Sequence, residues 1–448
     1  MRDFATADTM ALLTDLYELT MAQSYFRERH NERATFDLFV RTLPSRRGFL
    51  VAAGLDTVLD YLEGVRFSEA AVAYLRTLRL FDEPFLKYLR SFTFTGDVRA
   101  IPEGELVFPP EPILEVTGPL IEAQLVETFL LNQINCQTMM ATKAARVVLA
   151  AGGRPVVDFS PRRDHGTDAA MKAARCSYLA GCAGTSNMLA GMAYGLPVYG
   201  TMAHSYIMSY DEELDAFRAY ARTFPNACLL LIDTYDTVQG ARNAAVVAGE
   251  LRDRGHRLRG VRLDSGDLLD LSRKVRRVLD EAGAQDAQIF ASGDLNEDRI
   301  RALLDAGAPI DSFGVGTEMG TSYDAPAVGG VYKLVEDTRG YHIKRSAGKA
   351  TLPGRKQIWR LTRDGEIVAD VVALHDEPAP RDGEWRPLLA EMMRGGRAIV
   401  RESLDAARRR CRDRLAALPA AMRALNGAAY PVQRSPRLDA LFRQMAAG

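Results

Sequence analysis

The chain has few of the features that mark the commonest functional classes. Its 448 residues include five cysteines, Cys136, Cys176, Cys182, Cys228 and Cys411. None are spaced as CxxC, which excludes the usual zinc-ribbon and dithiol redox motifs. An odd count without ligand spacing reads as reduced thiols in a cytoplasmic protein, each packed as a small hydrophobe. Long apolar runs are also missing. The longest useful one, Ala227-Cys228-Leu229-Leu230-Leu231-Ile232, has the length of a strand and not of a membrane span. The octet Met1-Arg2-Asp3-Phe4-Ala5-Thr6-Ala7-Asp8 lacks the apolar core of a signal peptide. Charge of one sign is absent too. Lys and Arg total 57 against 58 Asp and Glu, a formal net charge of −1. That balance speaks against a broad electrostatic grip on nucleic acid, while leaving a local basic site open. The HExxH, GxSxG, GxGxxG and GxxxxGK[ST] motifs do not occur, so the functional classes they mark lose their signatures.

What is present is an ordinary globular composition, 47% hydrophobic and 26% charged, in a chain long enough for two or three domains. The patterning predicts three segments: residues 1–150, with helices and a small antiparallel sheet; 151–325, a parallel β/α region; and 326–448, strands and helices returning to the first part. In the first segment a helix is expected over about 14–29, where Leu12, Leu16, Leu19 and Phe26 share a face. A strand is expected at 35–40, mostly helix over 50–92, short strands with tight turns over 96–118, and a long helix over 121–151. The last segment offers antiparallel strands at 331–335, 341–344 and 356–360, expected to extend the small sheet. It closes on a basic helix over 403–425 with a solvated face.

Six strands are expected in the middle, at 155–160, 196–201, 227–234, 260–263, 288–291 and 312–315, separated by helical patterns. This alternation implies βαβ units and a parallel sheet. Each apolar strand runs into a polar end. The ends are Asp158-Phe159-Ser160-Pro161-Arg162-Arg163, Gly200-Thr201-Met202-Ala203-His204-Ser205, Asp233-Thr234-Tyr235-Asp236, Arg262-Leu263-Asp264-Ser265-Gly266-Asp267, Ser292-Gly293-Asp294 and Gly314-Val315-Gly316-Thr317. Active sites form at the carboxyl ends of such strands in barrels and open sheets alike, and six polar ends in succession favour one ring. Glycines at Gly293, Gly314 and Gly316 let backbone N–H groups approach a phosphate, although a tight turn explains each one alone. Asp264 and Asp294 suit Mg²⁺ held by a few oxygens, or helix N-caps. Arg162, Arg163 and Arg262 suit carboxylate or phosphate, with solvation the alternative for the adjacent pair. His204 is either a hydrogen-bonded core residue or a nucleophile toward phosphate; His165 is the weaker choice.

Together with Leu13-Thr14-Asp15-Leu16-Tyr17-Glu18-Leu19-Thr20-Met21, the segments around Arg162, His204, Asp264, Asp294 and Gly316 resemble the nicotinate phosphoribosyltransferases, type II phosphoribosyltransferases, over nearly the whole chain. The resemblance implies an incomplete parallel β/α barrel plus an α/β sandwich domain built from both chain ends. It implies that nicotinate and phosphoribosyl pyrophosphate give nicotinate mononucleotide and pyrophosphate in NAD salvage, with ATP hydrolysed alongside and Mg²⁺ as cofactor. It implies a homodimer with shared active sites. Residue by residue, His204 matches the histidine that ATP phosphorylates. Arg162 matches the residue near the nicotinate carboxylate, and Phe159 and Tyr17 match the walls of the pyridine pocket. Arg262 and Asp264 match ribose and pyrophosphate contacts, Gly293 and Asp294 the ribose, and Gly314, Gly316 and Thr317 the 5′-phosphate. Lys349 and Lys356 match a basic segment near pyrophosphate or ATP. Pro161 and Asp164 depart from the family pattern, which has a small residue before the arginine pair and an apolar one after it.

Two other readings share this fold. A nicotinamide phosphoribosyltransferase typically carries an Asp in the base pocket, where this chain has Gly184-Thr185-Ser186-Asn187. A non-catalytic nucleotide sensor can lose the groups that are intact here at His204, Arg262 and Asp264.

Overall fold

The computed structural model describes residues 5–346, 349–425 and 429–447, which form two compact units. One comprises residues 1–139 and 327–448; the other is residues 140–326.

The first unit is organised by a seven-stranded antiparallel sheet. Its order is Gly340–Tyr341, Gly330–Asp337, Arg33–Val40, Pro112–Pro119, Asp97–Ala100, Ala390–Arg394 and Arg397–Ala398. Arg33–Val40 and Pro112–Pro119 are buried along almost their full length, as central strands covered on both faces must be. The strand Lys356–Arg363 does not extend this sheet as expected. It lies in a second sheet, between Glu384–Pro387 and Glu366–Leu374, with Val432–Arg434 at the far edge. The hairpin to Glu366–Leu374 closes through Asp364 and Gly365, both at positive φ, and this local pairing decides the partner.

Other boundaries differ from the expectations. In place of the strand expected at 341–344, the ladder comprises Gly340–Tyr341, and the His342 N–H adds one hydrogen bond to the Val335 carbonyl. The helix expected over 121–151 is two helices, Leu120–Leu125 and Glu127–Ala150, which meet at Val126. The basic tail is Leu404–Ala416, capped by Ser403, followed by a short turn Ala420–Arg423. Its face is not solvated throughout as expected: Arg410 and Arg414 are half-buried and pair with Glu402 and Glu105.

The second unit contains a six-stranded parallel sheet. Its order is Gly184–Thr185, Val156–Asp158, Ser312–Val315, Gln288–Ala291, Gly260–Leu263 and Leu229–Leu231. Followed across the sheet from Leu229–Leu231, the strands occur in chain order to Ser312–Val315 and then restart at Val156–Asp158. That cyclic order, open at one seam, is an incomplete β/α barrel. The strand expected at 196–201 is absent. The Gly184–Thr185 strand fills its place, and residue 198 contributes a single bridge to Thr185. Pro197 lacks the N–H a ladder needs, and Gly195 at φ 67° ends the preceding helix just before it.

Candidate active site

The carboxyl ends of the parallel strands converge on Arg262. Its Nε donates to Ser292 Oγ at 2.8 Å and its Nη2 to Asp264 Oδ1 at 2.5 Å, while Nη1 reaches Thr201 Oγ1 at 3.4 Å. Ser292 Oγ in turn donates to Asp264 Oδ1 at 2.5 Å. One hydroxyl thus accepts from the arginine and donates to the carboxylate, closing a three-membered clasp. Burial pushes the Asp264 carboxyl up. The hydrogen bond from Ser292 and the charge of Arg262 outweigh that, so it titrates below the ordinary carboxylate range.

His204 opens the short helix His204–Met208. Its Nδ1 is hydrogen-bonded to Thr234 Oγ1 at 3.1 Å, and its Nε2 lies 3.7 Å from Asp264 Oδ2. Asp233 supports the same corner. Its Oδ2 accepts from the Asp264 backbone N–H at 2.8 Å and from Ser265 Oγ at 2.7 Å. The ring of Phe159 faces the Arg262 guanidinium at 5.3 Å and packs on Phe290 at 5.4 Å between centroids. Gly314 makes that packing possible, because a Cβ there would sit 2.7 Å from the Phe159 ring and 2.8 Å from Phe290. Its evident role here is steric clearance for the two rings. Gly316 and Thr317 begin the turn Thr317–Gly320. Gly293, at φ 91°, approaches so closely that a Cβ would fall 1.8 Å from the Asp264 carbonyl oxygen. Beyond it, Asp264, Gly293, Asp294, Leu295 and Arg299 line a cleft of about 540 Å³.

Arg162 and Arg163 are exposed on the loop after Val156–Asp158, as is His165. That loop is pinned from within: Ser160 Oγ donates to Asp164 Oδ2 at 2.9 Å, and burial pushes the Asp164 carboxyl up to about 6. At the strand end, Asp158 accepts from the Ser160 backbone N–H and from Thr185 Oγ1 at 2.9 and 2.8 Å.

The remaining expected residues belong to the first unit. Tyr17 is half exposed on the helix Leu16–Arg27. Burial of its hydroxyl and the neighbouring carboxylates of Glu127 and Glu18 raise its pKa far above the phenol range. Lys349 is exposed. Lys356 corrects the expectation of a substrate contact. It is buried, its Nζ pairs with Asp37 Oδ2 at 2.7 Å and donates to the Gly354 carbonyl, and its charge serves the protein core. A lysine that follows glycine and arginine at a strand start carries no signal separating these two uses.

Sequence reasoning did not single out Thr234, Asp233, Ser292 or Thr201 for the roles they hold. All stand within the polar strand ends, but Ser, Thr and Asp are common there for capping alone. Their function becomes visible only through partners about thirty or more residues away in sequence. Among the described residues, no group of three or more His, Cys, Asp and Glu is arranged to hold a metal ion by itself.

A broken β/α barrel with arginine, carboxylate and histidine clasped at the strand ends, beside glycine-lined turns, defines a phosphoribosyltransferase of the type II class. The family is set by comparison. The model of the nicotinate phosphoribosyltransferase N-terminal domain matches residues 12–135, and that of the nicotinate phosphoribosyltransferase family matches residues 155–334. The chain is 50% identical to the nicotinate phosphoribosyltransferase pncB2 of Mycobacterium tuberculosis over 96% of its own length and 92% of that protein. It is 45% identical to the nicotinate phosphoribosyltransferase of Bacillus subtilis over 83% of its length and 77% of that protein. The crystal structure of human nicotinic acid phosphoribosyltransferase superposes with a TM-score of 0.86 at 31% identity, covering 96% of this chain and 99% of that one. The chain belongs to the nicotinate phosphoribosyltransferase family.

Proposed function

We propose that the protein transfers the phosphoribosyl group of phosphoribosyl pyrophosphate to nicotinate, with phosphorylation of His204 by ATP driving the reaction forward. The Arg262–Ser292–Asp264 clasp beside His204 carries this reading. In the tautomer whose Nδ1–H donates to Thr234, the Nε2 lone pair of His204 attacks the γ-phosphorus of ATP. An N–P bond forms, the γ-phosphorus–oxygen bond breaks, and ADP leaves with the electron pair. In the transfer step the pyridine nitrogen of nicotinate attacks ribose C1, the C1–O bond breaks, and pyrophosphate departs. Hydrolysis of phospho-His204 releases phosphate. No strong general base is needed, so the protein mainly orients and neutralises.

Arg262 faces the charge that develops on the leaving group, and the ionised Asp264 faces the cationic ribose. Phe159 supplies an apolar wall for the pyridine, which Tyr17 of a second copy would complete across the dimer, and Arg162 takes its carboxylate. Gly293, Asp294, Gly316 and Thr317 hold ribose and 5′-phosphate, and Lys349 is a candidate contact for pyrophosphate or ATP. Asp264 keeps Oδ2 outside its clasp with Arg262 and Ser292, and Asp294 is exposed, so two hard oxygen donors fit Mg²⁺. When bound, that ion would neutralise pyrophosphate.

A homodimer completes the proposal. Leu13, Leu16 and Tyr17 of the first unit, and Met188, Leu189 and Met192 of the second, are exposed apolar side chains of the kind an interface covers. The protein works in the cytoplasm on small molecules, without nucleic acid or membrane as partner. Among the described residues, no helix is long and apolar enough to cross a membrane.

The decisive experiment measures mononucleotide formation from nicotinate and from nicotinamide, each with and without ATP. Nicotinate is expected to be preferred and ATP to stimulate, with an acid-labile phosphate appearing on the protein. A preference for nicotinamide would overturn the substrate assignment. Absence of transfer from either base would favour the sensor. Undiminished ATP stimulation in His204→Ala would overturn the phosphohistidine.

A further inference from the structure

We infer that Lys143 is a positioning residue for phosphoribosyl binding, fixing the spacing between the Ser292–Gly293–Asp294 and Gly314–Val315–Gly316–Thr317 loops. The inference rests on the proposed function, which gives those loops the ribose and the 5′-phosphate.

Lys143 lies on the helix Glu127–Ala150, and its side chain is 2% exposed. Its Nζ meets Glu297 Oε2 at 2.6 Å, Asp324 Oδ1 at 2.8 Å and Glu318 Oε2 at 3.8 Å. These carboxylates come from two places. Glu297 is the first residue of Glu297–Asp305, the helix that follows the Ser292–Asp294 loop. Glu318 is the second residue of Thr317–Gly320, the turn that begins in the glycine loop, and Asp324 lies just beyond it. One turn further along the lysine's helix, Arg146 Nε holds the other oxygen of Glu297 at 2.9 Å. Arg299, two residues after Glu297, donates to the Asp294 carbonyl at 2.7 Å and carries the restraint into the loop itself.

A fully buried lysine is rare unless paired, and removing one partner of such a pair leaves the others uncompensated. Here the loss would take one ammonium away from three acids that approach it from the bases of two adjacent loops, with Arg146 still holding Glu297. Without it they repel, and the two loops separate. The loops follow neighbouring strands, Gln288–Ala291 and Ser312–Val315, so their spacing is the spacing available to a ribose 5-phosphate. Lys143 is sealed from solvent and acts through the carboxylates. Its loss should therefore weaken the phosphoribosyl substrate selectively and leave nicotinate, whose proposed contacts lie at Phe159 and Arg162, nearly untouched.

The test titrates phosphoribosyl pyrophosphate into the full-length protein by calorimetry, and measures KM for each substrate, in wild type, Lys143→Met, Lys143→Arg and Glu318→Gln. Lys143→Met is expected to weaken phosphoribosyl pyrophosphate binding about tenfold or more and to change KM for nicotinate less than about threefold. Lys143→Arg should recover most of the loss, and Glu318→Gln, the longest arm, should give a smaller one. If Lys143→Met does not fold, Glu318→Gln and Asp324→Asn decide the matter by the same split. Unchanged binding in variants whose Tm alone has fallen overturns the inference, as does an equal loss for both substrates. Wild-type protein that binds no phosphoribosyl pyrophosphate overturns the functional reading as well.

Discussion

Glu18 shows how a single side chain can carry a property that its sequence position conceals. The segment around it was legible as a resemblance, and Tyr17 was its expected functional member. The neighbour is an acid perturbed within the range where proteins are studied. Glu18 is buried in the first unit, where Thr128 donates to its Oε1 through the backbone N–H at 3.1 Å and the hydroxyl at 2.6 Å. Burial still dominates and pushes its carboxyl up to about 7. The folded state therefore holds a proton that the unfolded chain releases nearer the ordinary value of 4.5. Between those two values the native state binds more protons, so stability falls as pH rises through the window. Glu18→Gln cannot ionise and escapes that loss. Thermal unfolding at about pH 5 and about pH 8 should show the variant gaining on wild type at the higher pH, by about 1–2 kcal/mol after allowance for partial solvation. A difference independent of pH would show that Glu18 does not titrate there.

At the scale of elements, the strand ends were the most legible part of the chain. Apolar runs ending in Asp, Arg, Ser and Gly recur at β/α spacing, and the strands Gly260–Leu263, Gln288–Ala291 and Ser312–Val315 lie where the pattern puts them. The misplaced strand, expected at 196–201, failed for a local reason: its apolar residues surround Pro197, while Gly184–Thr185 is too short to produce a periodic signal. Gly293 is a case where composition suggested an anion loop and geometry adds a stricter demand. Its φ of 91° and its 1.8 Å Cβ clearance from the Asp264 carbonyl oxygen leave no room for a side chain. Gly293→Ala forces that turn away from Asp264, at a cost of about 1–3 kcal/mol in backbone strain alone. We expect kcat/KM for phosphoribosyl transfer to fall about tenfold or more, with the far-ultraviolet circular dichroism of the barrel unchanged. Wild-type kcat/KM in this variant would show that the Asp264–Gly293 approach is dispensable.

For the whole molecule, periodicity located the parallel region, but it could not say how the two chain ends build one unit. That information lies in pairings between residues hundreds of positions apart. Arg360 is the clearest of them. It is fully buried, donating to Glu105 Oε1 at 2.8 Å and to Asp370 Oδ2 at 2.5 Å, with its guanidinium 5.2 Å from the Phe108 ring. Arg386 and Arg414 converge on the other oxygen of Glu105 at 2.8 and 3.0 Å, and Tyr430 donates to Asp370 at 2.8 Å. An N-terminal acid is thus neutralised entirely from the C-terminal segment. In sequence these are unremarkable charges, because nothing in local pattern distinguishes a buried arginine from a solvated one on an edge strand. Arg360→Met keeps much of the volume and removes the charge that Asp370 and Glu105 share. Asp370 then loses its buried arginine, at a cost of about 3–5 kcal/mol, while Glu105 keeps Arg386 and Arg414. None of these residues lies within 140–326, so the cost falls on one unit only. Denaturant unfolding of Arg360→Met should therefore resolve an early transition for the unit built from the chain ends, ahead of one for the barrel. A single transition at the wild-type midpoint would mean that the network contributes no net stability and that the chain ends are joined by apolar packing alone.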